Sequence, residues 1–402
     1  MNIGIMLSEQ LQSPEMGGGF TFEQETLDAL VRSQFDSPHR FCLLSYQNEM
    51  PPFLRPTGLT WITLFESLVE QSGGWSHKKP LDFEKQSAVR DADLELVVYL
   101  NPWVSPFLDI PYILNLWDLA HRRYPYFPEI SLAGEWEARE NFFKARLQRA
   151  AYVITPNECG KREIIDWYQL PTERLCSLHH PTPTFALRAG SLAGESKSLG
   201  HLGISKEFLL YPAQFWPHKN HVLLLHALKK LRDRCEYAPQ LVLTGSDKPL
   251  FNYAAKGNQA YLRTLSSELA LQDQVIFAGF VVREDLIALY QQAVALVYPT
   301  FFGPENLPPL EAFALGCPVI ASRIPGSAEQ FGDSALQIDP TDSNAWAEAI
   351  LSVKQDAALR ADLIKRGKKR AASFTPDDFV KGLFGIIDEF ATSRRTWPSS
   401  VL

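Results

Sequence analysis

Short apolar runs alternate with stretches of helical periodicity along the whole of this 402-residue chain. The runs are Asn2–Leu7, Phe41–Tyr46, Leu94–Leu100, Tyr112–Leu116, Tyr152–Thr155, Phe208–Pro212, Leu241–Gly245, Val275–Gly279, Ala293–Tyr298 and Pro318–Ser322. Strands that alternate with helices are typical of parallel sheets, and runs that are apolar throughout fit strands covered on both faces. The pattern therefore predicts an α/β fold.

A composition shift divides this pattern into two halves. Residues 180–206 are rich in Pro, Ser, Gly and Thr and lack a strong apolar period. We expect a linker there, between an N-terminal Rossmann-like domain of residues 1–185 and a C-terminal one of residues 207–375. Residues 376–402 are expected to form a helix that packs back toward the N-terminal domain. With two such domains, the cleft between them is the expected ligand site.

Composition excludes several classes of protein. The net charge is −7, and neither half carries the basic excess that nucleic-acid binding needs. The five scattered cysteines form no metal or redox motif, which favours reduced thiols in the cytoplasm. The most apolar long stretch, Leu96–Trp117, contains three prolines and Asp109, which argues against a membrane span. We expect a cytoplasmic chain with no nucleic-acid partner, and peripheral membrane contact stays open.

The segment Ala293–Ser322 predicts a strand, a glycine turn, a short helix and a second strand. Pro308 and Pro309 suit a first helical turn, and the N-terminus of such a helix suits an anion. We expect this helix to contribute little to packing. Glu311 is expected in its first turn, where an exposed carboxylate can accept two ribose hydroxyls. The alternative is a glutamate that only complements the helix dipole.

A second informative segment is Leu209–Ala227, in which Lys219 and Asn220 follow a strand and open a helix. A lysine in that position can hold a phosphate as a point charge. The alternative is a solvated surface lysine, which is the commoner outcome for a single Lys.

In this order and spacing, the two segments resemble the C-terminal domain of family-4 retaining glycosyltransferases of the GT-B fold. Leu241–Gly245, residues 275–293 and Arg323–Pro340 are similar to further pieces of that domain. The resemblance implies two Rossmann-like domains with parallel sheets that face each other across a central cleft. It also implies transfer of a hexose from GDP-mannose or a UDP-sugar to a glycan or lipid-linked acceptor, with retention, in surface polysaccharide or glycoconjugate synthesis. Neither the residues nor the resemblance points to a metal or another cofactor.

The N-terminal half resembles the family less specifically. Gly17, Gly18 and Gly19 are similar to its glycine-rich loop, where a backbone can approach a ligand closely; they can equally be a flexible turn. The family usually has His-Asp-Leu where this chain has Trp117, Asp118 and Leu119. The resemblance therefore makes Asp118 a candidate, and His121 a candidate to substitute for the missing histidine.

Two positions depart from the family pattern. An earlier glutamate that normally contacts the transferred sugar is replaced by Gly303, and an arginine that supports the pyrophosphate is replaced by Gln214. Gln214 keeps its hydrogen-bonding capacity without the charge. The resemblance then leaves the donor site to Lys219 and Glu311, with a further set of loop candidates: Gly245, Gly303, Glu305, Asn306 and Leu307.

Two sets of acidic or polar residues are expected to have structural roles only. Thr155, Asn157 and Glu158 are interpreted as turn and helix-cap residues, and Asp91 and Asp93 as a solvated turn.

Two alternatives from other classes remain. One is a non-catalytic nucleotide-sugar-binding protein on the same scaffold, which Gly303 and Gln214 favour. The other is a two-domain NAD-dependent oxidoreductase, which the absence of G-x-G-x-x-G after a strand argues against.

Overall fold

The structure, a computed structural model, describes residues 1–8, 17–64, 83–191, 197–245, 258–303 and 305–398. Within this part of the chain every strand belongs to one of two parallel sheets. The strands are β1 (Asn2–Met6), β2 (Arg40–Ser45), β3 (Thr60–Thr63), β4 (Leu96–Tyr99), β5 (Tyr112–Asn115), β6 (Tyr152–Thr155), β7 (Leu175–Ser177), β8 (Phe208–Pro212), β9 (Gln240–Thr244), β10 (Val275–Gly279), β11 (Ala295–Tyr298), β12 (Val319–Ser322) and β13 (Ala335–Ile338).

The connections between these strands are helical. The α-helices are α1 (Gly18–Ser33), α2 (Phe83–Asp91), α3 (Ala120–Arg123), α4 (Pro128–Ser131), α5 (Glu135–Arg149), α6 (Glu158–Tyr168), α7 (Thr184–Ser191), α8 (His221–Cys235), α9 (Asn258–Glu268), α10 (Arg283–Gln292), α11 (Leu307–Leu315), α12 (Ser327–Phe331), α13 (Ser343–Gln355), α14 (Ala357–Ala371) and α15 (Pro376–Arg394). Short 3-10 turns include Pro217–Lys219.

The strand order is β3-β2-β1-β4-β5-β6-β7 in the first sheet and β10-β9-β8-β11-β12-β13 in the second. Each of the ten apolar runs of the sequence overlaps one strand, so the predicted α/β fold with parallel sheets is confirmed. Three further strands, β3, β7 and β13, lie at sheet edges. Interior strands such as β4 and β12 are buried at every residue, because helices cover both faces of a parallel sheet.

The first structural unit comprises residues 1–119, 137–179 and 376–402, of which 9–16, 65–82 and 399–402 lie outside the described residues. Its core contains fully buried side chains from neighbouring strands, such as Met6, Leu44 and Leu114. The helix α15 belongs to this unit, where the ring of Phe379 packs edge-on against Phe22 of α1 with centroids 5.3 Å apart.

The second unit comprises residues 120–136 and 180–375. The short helices α3 and α4 therefore cluster with the second sheet, although they stand in the N-terminal half of the sequence. The expected linker, residues 180–206, of which 192–196 lie outside the described residues, contains α7. Gly190 of α7 lies so close to α11 that a Cβ there would be 2.0 Å from the Ala314 carbonyl oxygen.

The helix α11 is buried along most of its length, with Leu310, Ala312 and Phe313 at most 1% exposed. It packs against α7, α10 and α14. The expectation that so short a helix contributes little to packing is therefore wrong. Its apolar residues surround it on all sides, as they do in a helix that is enclosed by neighbours.

No helix in the described ranges is both long enough and apolar enough to cross a membrane.

Candidate functional site

Lys219 lies beyond the carboxyl end of β8, as the last residue of the 3-10 turn Pro217–Lys219. It precedes α8 instead of opening it, because Asn220 adopts a left-handed conformation with φ 57° between the turn and the helix. The hydroxyl of Tyr211 donates a hydrogen bond of 2.7 Å to the Lys219 carbonyl oxygen. The backbone that carries the lysine is thus fixed from the strand behind it.

The Lys219 ammonium group points to Tyr298, the last residue of β11. Its Nζ lies 3.4 Å from the Tyr298 hydroxyl oxygen and 5.6 Å from the centre of that ring. The Tyr298 hydroxyl donates to Oδ1 of Asn306 at 3.0 Å. Burial and the charge of Glu311 raise the pKa of Tyr298, so this hydroxyl stays protonated and can donate. Lys219, Tyr298 and Asn306 therefore form one connected group.

The loop before α11 is held by Asn306 and Gln330. The Asn306 amide donates to the Gly303 carbonyl at 2.8 Å, and Gln330 bonds both the Asn306 N–H, at 3.1 Å, and its carbonyl, at 2.7 Å. Gly303 has φ 119°, a conformation that L side chains rarely adopt, and a Cβ there would be 2.7 Å from Asn306 Oδ1. A glutamate at Gly303, where the family pattern places one, would be strained by this φ and would displace the Asn306 side chain.

Two other loop candidates are buried at the start of α11. The Glu305 carboxylate accepts the backbone N–H of His180 at 2.6 Å, which ties this loop to the start of the 180–191 segment. Leu307 is the first residue of α11 and is only 6% exposed.

Glu311 is the fifth residue of α11, so the expectation that it lies in the first turn is wrong. The helix begins at Leu307, one residue before the two prolines, which moves Glu311 into the second turn. Its side chain is largely buried, with 8% exposed, and its Oε2 accepts a 2.7 Å hydrogen bond from the Tyr290 hydroxyl. Burial and the nearby carboxylate raise the pKa of Tyr290 well above its usual value. Tyr290 therefore orients Glu311 as a permanent donor.

Gln214 and Gly245 lie side by side beyond β8 and β9. Gln214 Oε1 accepts from the Trp216 indole at 2.7 Å. Gly245 has φ 153°, and a Cβ there would be 2.5 Å from the Ala213 carbonyl oxygen. Only glycine lets the two loops approach so closely.

Among the candidates in the N-terminal half, Gly18 and Gly19 are the first residues of α1 and are not part of a flexible loop; Gly17, with φ 81°, precedes them. The Trp117 ring lies over Gly19, where a Cβ would be 2.8 Å from its Cη2 atom. The indole of Trp117, which stands where the family has a histidine, thus occupies the space beside Gly19 that a larger residue there would fill.

Asp118 follows Trp117 and belongs to the first unit, whereas His121 belongs to the second. His121 is buried in α3, and its carbonyl oxygen accepts the Trp136 indole N–H at 2.7 Å.

Asn157 has the capping position expected of it, whereas Thr155 is the last residue of β6. Asn157 caps α6 by accepting the Gly160 N–H at 3.0 Å, and Glu158 accepts from Ser177 at 2.6 Å. Asp91 and Asp93 are exposed in the turn that ends α2.

Sequence reasoning missed several residues of the second unit. Tyr290 and Tyr298 stood inside segments that the family resemblance covers. A polar hydroxyl at a strand end was the available signal for Tyr298, whereas Tyr290 lies in α10. His221 lies between the tilted rings of Tyr211 and Phe215, with centroids 4.7 and 5.1 Å away, and burial lowers its pKa to about 3. In the described part of the chain no group of three or more His, Cys, Asp or Glu side chains is placed to hold a metal ion.

Two parallel α/β sheets in these orders define the GT-B fold, which solved structures share. Sucrose-phosphate synthase from Thermosynechococcus elongatus matches with a TM-score of 0.74 and 20% identity, over 98% of this chain and 99% of that chain. Anabaena HepE in complex with UDP-glucose matches with a TM-score of 0.70 and 16% identity, over 98% and 100% of the two chains.

Residues 201–370 match the model of the family of glycosyl transferases group 1. The D-inositol 3-phosphate glycosyltransferase of Acidothermus cellulolyticus is 28% identical over 249 residues, which cover 61% of this chain and 54% of the relative. The O-antigen chain mannosyltransferase B of Escherichia coli is 28% identical over 239 residues, which cover 57% and 58%. The chain thus matches a little more than half the length of these two relatives.

Proposed function

We propose that this chain is a retaining glycosyltransferase of family 4 that transfers a hexose from a nucleoside diphosphate sugar to an acceptor hydroxyl. The observation that carries the proposal is the Lys219 ammonium group at the carboxyl end of the second sheet, bonded to Tyr298 and through it to the loop before α11. A cation beside the N-terminus of a helix suits a diphosphate.

In the proposed reaction, the bond from the sugar C1 to the diphosphate oxygen breaks, and a bond from C1 to the acceptor oxygen forms on the same face. The acceptor proton goes to the departing diphosphate oxygen, so no protein base is required. Lys219 stabilises the negative charge that develops on that leaving group, with support from the dipole of α11. The proposed reaction needs no metal.

The donor and acceptor follow from the relatives and belong to the proposal. The O-antigen chain mannosyltransferase and the solved complex with UDP-glucose support a hexose donor, GDP-mannose or a UDP-sugar. We place the acceptor, a glycan or lipid-linked glycan, on the first unit, near Gly17–Gly19 and Asp118. Synthesis of a surface polysaccharide in the cytoplasm, with peripheral contact to the membrane, is the corresponding role.

Glu311 is proposed to hold the ribose diol of the nucleotide. Tyr290 occupies one side of the carboxylate and orients it. Because the backbone of Gly303 leaves no carboxylate at the neighbouring family position, Glu311 is the acid that this helix offers to a ligand.

The second candidate function is a binding protein that holds a nucleotide sugar without transferring it. The left-handed Gly303 favours it, since the residue that contacts the transferred sugar in the family is missing.

The test of the proposal is the affinity and turnover of a Lys219→Ala variant. Loss of a charge-assisted hydrogen bond of about 1.5–3 kcal/mol predicts roughly tenfold to hundredfold weaker binding of UDP or GDP in calorimetry. The control is Lys365→Ala, an exposed lysine on α14 in the same unit, which should bind as the wild type does. Release of nucleoside diphosphate from UDP-glucose or GDP-mannose, at equal rates in EDTA and in Mg²⁺, supports the transferase. Binding without release under every acceptor supports the binding protein.

Glu311→Gln tests the ribose role by calorimetry with the free nucleoside diphosphate. The amide keeps the shape of the side chain but weakens its charge-assisted hydrogen bonds to the diol, so the dissociation constant should rise several-fold. Equal dissociation constants for variant and wild type would move Glu311 to sugar recognition or to a structural role.

A further inference from the structure

A carboxylate from a distant segment is bonded to the turn that carries Lys219. Glu129, in α4, has its Oε1 2.5 Å from Nδ1 of His218 and also accepts the His218 backbone N–H at 3.1 Å. One carboxylate oxygen of Glu129 thus contacts both the imidazole and the backbone N–H of His218, the residue before Lys219. The two residues are 89 positions apart in the sequence and belong to the same unit.

The His218 imidazole cannot turn away from this carboxylate without disturbing its surroundings. It is buried, and it stacks on Phe302 with centroids 4.0 Å apart and planes at 18°. Phe302 in turn stacks on Tyr124, which stands in the same segment as Glu129. The His218 carbonyl oxygen accepts the Phe301 N–H at 2.9 Å, so main chain and ring are both held.

The backbone on the other side of Lys219 is held as firmly. The Asn220 amide donates to the carbonyl oxygens of Pro299, at 3.1 Å, and Pro340, at 2.8 Å. With residues 218 and 220 both fixed, the direction in which Lys219 leaves the backbone is set. The His218 contact with Glu129 adds a side-chain ion pair to this bracing.

The electrostatics favour an ionised Glu129. Burial alone would raise the pKa of the carboxyl, but the hydrogen bonds and charge of His218 outweigh it and hold that pKa below its usual value. Its other oxygen, Oε2, is buried without a hydrogen-bond partner in the described part of the chain. A buried ion pair with an unsatisfied oxygen is a poor source of stability, which points to a role beyond folding.

We propose that Glu129 and His218 are positioning residues that fix the direction of Lys219 and so set the affinity of the second unit for a nucleoside diphosphate. The inference rests on the proposed function, in which Lys219 contacts that diphosphate. Residues 120–136 thereby belong to the donor site, although they make no proposed contact with the ligand.

The experiment is a double-mutant cycle on UDP and GDP affinity, measured by calorimetry. Its members are wild type, Glu129→Gln, Lys219→Ala and the double variant. Glu129→Gln keeps one hydrogen bond and removes the charge, and about fivefold weaker binding is expected. In the Lys219→Ala background the same substitution should change the affinity by less than twofold, because contacting residues that act through one another are not additive. Glu348→Gln, an exposed glutamate on α13, is the control and should bind as the wild type does.

The outcomes separate the two proposals. If Lys219→Ala weakens binding and Glu129→Gln does not, the positioning role is refuted and the proposed function stands. An equal loss from Glu129→Gln in both backgrounds also refutes it, because the effect would then not pass through Lys219. If the wild type binds neither nucleotide, the proposed function itself fails, and the inference with it. Glu129→Asp, which keeps the charge but shortens the reach, should weaken binding in the wild-type background and serves where Glu129→Gln does not fold.

Discussion

The first strand of each sheet is followed by a different kind of junction to the next helix. β1 and β8 occupy the same place, since both sheets follow the same order over six strands. After β1, the chain reaches a helix that begins with glycines at Gly18 and Gly19. After β8, it forms a 3-10 turn with two basic side chains, His218 and Lys219, before α8 begins. Identical topology thus supports two chemically different junctions.

A buried carboxylate is hydrogen-bonded to each junction. The two carboxylates differ in pKa because their partners differ. At the first junction, Glu23 of α1 accepts the Ser8 backbone N–H at 2.6 Å and also the Ser8 hydroxyl. These donors are neutral, and burial raises the pKa of Glu23 to about 7. At the second junction the imidazole of His218 keeps the pKa of Glu129 low. Burial alone therefore does not decide the charge of a carboxylate; the donor beside it does.

Of the substitutions that test this comparison, Glu129→Ala should lower the free energy of unfolding most. It leaves the buried His218 without its carboxylate, and breaking a buried pair typically costs about 3–5 kcal/mol. Urea unfolding should show that loss in the free energy of unfolding. A loss below about 1 kcal/mol would mean that the pair is loosely held, and the contrast between the two junctions would disappear.

Glu23→Gln should remove a pH dependence of the free energy of unfolding that arises at the first junction and not at the second. Because the pKa of Glu23 is raised in the folded state, its contribution to stability is complete below about pH 4.5 and is lost as the pH rises through 7. At 1.36 kcal/mol per pKa unit, that contribution is about 3 kcal/mol. The free energy of unfolding of the wild type relative to Glu23→Gln should fall by this amount between pH 4.5 and 8. Asp28→Asn, an exposed site on α1, is the control, and a flat difference would contradict the assignment.

Gly19→Ala should have the smallest effect of the three. The added methyl meets the Trp117 ring at 2.8 Å, and the displacement should cost about 1 kcal/mol after the better helix propensity of alanine is included. Gly385→Ala on α15 meets nothing within 4 Å and should be neutral or slightly stabilising. If both substitutions stabilise the protein, the indole does not pack tightly against the start of α1.

The interior of the fold could be predicted from apolar runs, and three edge strands could not. β9 is buried at every residue, whereas β3 has one exposed and three half-buried residues, because an edge strand is covered less. A search for unbroken apolar runs detects strands with both faces covered. The three missed edge strands, β3, β7 and β13, can be recognised only from their pairing with neighbouring strands.

The candidate site was predictable where its residues follow strands and glycines. Lys219 and Gly245 lie at the strand ends that the sequence indicated. The position of Glu311 depended on where α11 begins, and helix boundaries shift by a residue or two from their sequence signals. The contact of Glu129 with His218 carries no local signal, since it joins positions 89 apart.

The segment 120–136 has a consequence for engineering chimeras. The chain passes between its two units four times, at residues 119–120, 136–137, 179–180 and 375–376. A graft of residues 180–375 onto the N-terminal part of a relative would transplant the entire second sheet but replace Glu129 and Tyr124 by whatever the recipient carries. Under the proposed function, an exchange of donor preference between homologues therefore requires a two-piece graft, with residues 120–136 moved together with 180–375.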